Sequence, residues 1–175
     1  MTYPTIGIDP YSSDRQYGSQ AQARRAAQQL YESAYARGWL RRIWARLTHH
    51  STHLHCLLDV ENLAVHGSYF AGVQTVPVDQ IRGSQGRCND FDSAFSPLKD
   101  YNQERWVSVA AAYHTGAALP LVKLVQVGQE YFVQDGHHRV SVARAIGQQE
   151  IEAEVTVWEV TEAVPVSRAD EGPFS

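Results

Sequence analysis

Residues 135–139 read Asp-Gly-His-His-Arg and stand between an apolar run at 131–133 and a segment of helical spacing at 138–146. A strand that passes through glycine into a helix leaves backbone N–H groups free at the helix start. Those groups and the helix dipole favour an anion. Gly136 lets the backbone come close to it. Arg139 offers a planar fork to phosphate oxygens. His137 and His138 add donors that titrate near neutral pH. Asp135 is suited to a magnesium ion or a ligand hydroxyl. Together they would form a phosphate cradle. The other reading of the same residues is a capping Asp135 with two surface or core histidines.

The elements that must position this turn follow from the flanking pattern. Residues 121–127 and 130–134 read as two strands of a hairpin around Val127, Gly128 and Gln129. Residues 138–146 form a short helix ending at Gly147, and residues 151–160 alternate as a last strand. Upstream lie a strand near 72–78, a long polar loop at 82–104 and a helix at 103–114 stopped by Gly116. The helix turns Trp106, Val109, Ala110 and Tyr113 inward. The order is that of a small α+β domain. It is preceded by an Ala/Gln/Arg-rich helical segment whose inward face is Ala23, Ala27, Leu30 and Ala34. Gly38 ends or bends that segment, and Leu40, Ile43, Trp44 and Leu47 resume the spacing. The expected divisions are a flexible tail at 1–18, a helical appendage at 19–66, the domain at 67–162 and a second tail at 163–175.

Of 175 residues, 43% are hydrophobic and 19% charged, enough for a core and against global disorder. The net charge of −4 is unevenly spread: residues 1–50 carry +4 and residues 51–175 carry −8. That split suits a basic arm or a basic helix docked on an acidic body. Arg37 and Arg41, and Arg42 and Arg46, form ridges that would meet phosphates or simply solvent. Cys56 and Cys88 are far apart, without CxxC spacing, and read as neither a disulfide framework nor a zinc site. The histidines at 49–55 lack zinc-ligand spacing. A reducing cytoplasm is the default. The N-terminus has no signal-peptide pattern and no apolar run is long enough to span a bilayer, so no membrane partner is expected.

Residues 75–160 resemble the ParB/sulfiredoxin superfamily. The resemblance lies in TVPVDQI, a helix ending in HTG, LPLVKL, YFVQDGHHRVSVARAIG and a closing β segment. It implies a mixed sheet with helices and a nucleotide site. In partition proteins of the superfamily the phosphate-binding turn reads Gly-Glu-Arg-Arg; here it is Gly136, His137, His138 and Arg139. Gly116 opens GAALP where those proteins carry a second nucleotide-contacting turn. Sulfiredoxins place a catalytic cysteine where this chain has His137, so their chemistry is not implied. Partition proteins continue into DNA-binding and dimerisation domains, for which the chain to Ser175 leaves no room. Free serine kinases have the version closest to Asp-Gly-His-x-Arg and use a glutamate base after the first strand. That region holds Gln85, with Asp90 and Asp92 as substitutes and Arg87 as a phosphate clamp. Asp90 and Asp92 read equally as turn formers. The Arg-rich N-terminal helix and the GR-x-x-DFD loop are similar to those of bacterial ParB-like proteins.

The resulting expectation is a nucleotide-binding protein, as a phosphotransferase acting on a small hydroxyl substrate or as a nucleotide hydrolase. Mg2+ with a nucleoside di- or triphosphate would be the cofactor. Asp135, His137, Asp90 and Asp92 are the candidate catalytic groups. Gly116, Gly136, His137, His138, Arg139 and Arg87 would bind phosphate, and Asp135 the metal. The competing readings are a DNA- or RNA-associated protein using the basic helix, and a module that senses a nucleotide without chemistry. The helix with Trp39 and Trp44 would either pack on its own domain or join two copies as a homodimer.

Overall fold

The computed structural model describes residues 11–49, 51–57 and 65–160, with side chains from residue 19 onward. It has an α+β fold, with a six-stranded mixed sheet, an N-terminal helix and two further helices among the described residues. Helix α1 (Tyr11–Thr48) is followed by β1 (His55–Cys56), β2 (Val65–Pro77), a short turn and β3 (Ile81–Ser84). Then come α2 (Gln103–Thr115), β4 (Val122–Val127), β5 (Glu130–Asp135), α3 (His137–Ala145) and β6 (Glu150–Val160). The strands lie in the order β1-β3-β5-β4-β6-β2.

The hairpin at β4 and β5, the helix stopped by Gly116 and the last strand agree with the sequence pattern. Four features differ. First, α1 begins at Tyr11, inside the segment read as a tail, and runs unbroken through Gly38. A Cβ at Gly38 would lie 2.9 Å from the Ser96 Cβ, so glycine serves close packing there and does not end the helix. Second, β2 is a 13-residue strand, longer than expected, because it pairs antiparallel with β6 from Val65↔Val160 to Pro77↔Glu150. Third, β3 is hidden in a polar stretch. Its Gly83 is required, since a Cβ would meet the Phe132 ring at 2.4 Å. Fourth, β1, from the expected appendage, adds to the sheet edge parallel to β3. Residues 58–64, within the segment 57–66 that reads as a short helix or an ordered connector, and 161–175, which include the second tail, lie outside the described residues.

The β1–β3 pairing also corrects the cysteine reading. Cys56 pairs in register with Ser84, and Cys88 follows four residues later, so the two sulfurs form a disulfide. A separation of 32 residues carries no local signature of this bond, which is made by sheet topology. Cysteine usage therefore gives no ground for a reducing compartment.

One core lies between α3 and the sheet, built from Val76, Ile81, Leu124, Val133, Val140, Ala143 and Val155 with Phe91 and Phe95 from the long loop. A second joins α1 to α2 and α3 through Ala27, Tyr31, Ala34, Trp106, Val107, Ala110 and Val142. Alanines on α1 allow the close approach, and Tyr31 meets Trp106 edge to face at 5.4 Å. Trp106 is fully buried, so its indole N–H needs an acceptor. It donates to Ser141 Oγ at 2.7 Å, and that hydroxyl donates to the Phe95 carbonyl at 2.6 Å. The chain of two bonds ties α2, α3 and the loop after β3 together. Ser141→Ala strands the indole N–H and the carbonyl, so urea unfolding should show a loss of about 1–3 kcal/mol. Unchanged stability would contradict this role.

Candidate functional site

Strands β3 and β5 are parallel neighbours, with Ser84 in register with Val133. Their C-terminal ends therefore open on the same side of the sheet. The loop 85–99 leaves from one and α3 from the other. Ligand sites of α/β sheets favour this end of parallel strands.

Gly136 caps α3 at φ +95°, in the left-handed region that favours glycine. A Cβ would also lie 2.7 Å from Val122 Cγ1 and 2.9 Å from Arg139 Nε. The first helical bond runs from Val140 N–H to the Gly136 carbonyl, so the three preceding N–H groups have no partner within the helix. No side chain caps them, and the first turn holds no acid. The capping role open to Asp135 is not taken up.

His137 is buried against the end of β3. Its Nε2 lies 2.7 Å from Ser84 Oγ, which already accepts the N–H groups of Gly86 and Arg87 at 3.3 and 3.0 Å. A hydroxyl has one proton to give. It therefore donates to Nε2, which fixes a neutral imidazole protonated on Nδ1. Burial pushes the His137 pKa down to about 4, aided by the Arg87 and His138 charges and opposed by Asp135 and Asp90. His138 is 6% exposed, and neither ring nitrogen has a hydrogen-bond partner. The Phe91 ring meets it edge to face at 5.5 Å. Burial lowers its pKa to about 4 as well, helped by Arg105 and Arg87 and opposed by Asp90. A buried polar group left unpaired costs about 1–3 kcal/mol. A group that reached its ring nitrogens with a donor or acceptor would recover that cost.

Arg87 and Asp90 form the rim, 3.7 Å apart, and Asp90 Oδ1 accepts the Tyr101 hydroxyl at 2.6 Å. That bond raises the Tyr101 pKa. The disulfide holds Cys88, next to Arg87, against β1. Arg87, Asp90 and Asp135 thus lie within electrostatic range of His137, and Arg87 and Asp90 within range of His138 as well. Arg105 at the start of α2 is the group missed in the sequence; only the fold brings it within reach of His138.

The other expected residues lie elsewhere. Arg139 Nη1 donates to the carbonyls of Pro120 and Leu121, and Nη2 to Asp135 Oδ2 at 2.7 Å. Its guanidinium brackets the 117–121 segment to α3, with only 11% of the side chain exposed. Gly116 ends α2 at φ +67° and shares with Arg139 a separate cavity of about 260 Å³. Asp92 is fully buried. Its Oδ1 accepts the N–H groups of Ala94 and Ser96 at 3.0 and 2.7 Å, and Oδ2 lies 3.7 Å from Arg41 Nε. It organises a turn in which Phe95 adopts φ +58°. A wider cleft of about 420 Å³, lined by Arg37, Arg41 and Arg144, lies beyond that turn, between α1 and the body. Among the described residues no three His, Cys, Asp or Glu side chains gather as a metal site. Asp135, expected to hold magnesium, is committed to Arg139. A magnesium ion would take most of its oxygen shell from ligand phosphates and water.

The two histidines make stability depend on pH. With folded pKa values of about 4 against an ordinary 6.5, the unfolded chain binds more protons between those limits. Stability should be full above 6.5 and fall as pH drops towards 4. Thermal melts between pH 7 and 5 should show the decline, with a shallower slope in His138→Phe. A melting temperature flat across that window would contradict the assignment.

Neither a family model, nor a curated protein, nor a solved structure matches the chain. The reading of the site rests on its own geometry.

Proposed function

We propose that the protein binds a phosphate-bearing small molecule, of the nucleoside di- or triphosphate class, at the start of α3. The observation that carries this is His138, buried beside free helix N–H groups and within electrostatic range of Arg87 and Arg105, with both ring nitrogens unbonded. A phosphate oxygen supplies the missing acceptor, suits the helix dipole and balances the two arginines. The resemblance of Asp-Gly-His-His-Arg to the nucleotide-binding turns of ParB-like proteins points the same way.

Binding without group transfer is the form this reading takes. Each candidate for chemistry already has a partner: Asp92 its turn, Asp135 the Arg139 guanidinium, Asp90 the Tyr101 hydroxyl and His137 the Ser84 hydroxyl. The parts fit a module that holds a nucleotide and responds to it. The ligand's own contacts would come from Arg87, Arg105, His138 and the α3 N–H groups. Arg139 would support the site by fixing the 117–121 segment.

Calorimetric titration with ATP, ADP and CTP, with and without magnesium, tests this. Wild type should bind at least one. Arg87→Ala should bind about 10–100-fold more weakly with its melting temperature nearly unchanged, as expected for a lost charge-assisted bond. Arg139→Ala should lower the melting temperature. Equal affinity in wild type and Arg87→Ala, or no binding of any nucleotide by the folded wild type, would sink the proposal.

A further inference from the structure

The second half of α1 carries large apolar side chains that no described residue covers. With about 3.6 residues per turn, Trp39, Leu40, Ile43, Trp44 and Leu47 fall on one stripe. It lies opposite Ala34, Gly38 and Ala45, which are buried against the body. Trp39 and Leu40 are each 52% exposed, Trp44 66% and Leu47 72%. Four large apolar side chains this open on one helix face exceed the scattered exposure normal on a monomer. Arg46 borders the stripe on one side and Arg37 on the other. No Asp or Glu occurs anywhere from residue 33 to residue 58.

We propose that this face of α1 docks on an anionic lipid surface, with the stripe among the acyl chains and the arginines at the headgroups. Tryptophan suits the boundary between headgroup and hydrocarbon, and arginine can extend its charge outward from an apolar contact. A helix of this composition lies in the interface plane and does not span it. The charge decides against a second copy, since facing stripes would bring arginine against arginine with no acid between them. A nucleic acid would engage the arginines and leave the tryptophans and leucines in water. A partner groove that wraps a helix needs access around it, whereas α1 is held along its opposite side by α2 and the loop at 92–96. A flat surface can reach the exposed ridge. The expectation of no membrane partner concerned spanning segments, and no helix among the described residues is long and apolar enough to cross a membrane. Lying on the surface is a different property.

The test is co-sedimentation of the full chain with vesicles of phosphatidylcholine alone and of phosphatidylcholine mixed with phosphatidylglycerol, with tryptophan emission read in parallel. Binding should require phosphatidylglycerol, weaken with salt and shift the emission to shorter wavelength. Trp44→Ser with Leu47→Ser, and separately Arg37→Glu with Arg46→Glu, should each weaken binding about tenfold or more. All four positions are exposed, so both variants should keep the wild-type melting temperature. No sedimentation with the anionic vesicles overturns the proposal. So does concentration-dependent dimerisation abolished by the serine variant, which would assign the face to a second copy. Binding of duplex DNA that the serine variant leaves intact, without vesicle binding, would assign the arginines to nucleic acid.

Discussion

The hydrogen bond between Ser84 and His137 joins the end of β3 to the start of α3, and the candidate site is built around it. It runs at 2.7 Å between two buried groups 53 residues apart in the chain. In so dry a place an unpaired hydroxyl or imidazole is costly, so each specifies the position of the other. The same Ser84 oxygen accepts the Arg87 N–H. One hydroxyl thereby orients an imidazole, a loop arginine and the opening of a helix. It also sets the protonation state, because its single proton goes to Nε2 and leaves a neutral ring.

Around that bond the molecule is locked by groups whose partners come from distant segments. Trp106, Ser141 and the Phe95 carbonyl form one buried line. Arg144 donates to the carbonyls of Val78 and Ile81 and stacks its guanidinium 4.9 Å from the Phe95 ring centroid. Asp92 closes the turn that Arg41 of α1 reaches through Ser96 Oγ at 3.0 Å. The loop after β3 is long and polar, yet the disulfide, this turn and two buried phenylalanines hold it in place. Some buried polar atoms of this frame also lack a hydrogen-bond partner, among them Asp92 Oδ2, Asn102 Nδ2 and Arg144 Nε; His138 differs in that both its ring nitrogens are unbonded and it lies in the first turn of α3.

Much of the fold was legible because it is written in local periodicity. The β4–β5 hairpin, the two body helices and β6 follow from alternation, helical spacing and the glycines at 116, 128 and 147. The features that were not legible depend on topology. β3 is only four residues long and contains arginine, glycine and serine. Its strand character comes from lying between β1 and β5. The length of β2 comes from its partner β6, and the disulfide from the pairing of β1 with β3. At the site, the turn Asp135 to Arg139 was visible as chemistry, but its division of labour was not. Gly136 looks like a residue kept clear for a ligand, yet Val122 and Arg139 also fill the space a Cβ would take. Arg139 looks like a phosphate fork, yet backbone carbonyls and Asp135 take its donors. Arg105 gives no signal in sequence, because its place depends on how α2 docks against α3.

The most direct measurement follows the imidazole resonances of His137 and His138 by NMR through a pH titration, with and without inorganic phosphate and then ADP. Without ligand both rings should stay neutral until well below pH 6.5, and His137 should show the tautomer protonated on Nδ1. With ligand, the His138 resonances should move and its pKa should rise, because a bound anion favours the imidazolium. If His138 titrates at an ordinary value without ligand, or is unmoved by saturating phosphate and ADP, the buried and unpaired imidazole is not the centre of an anion site.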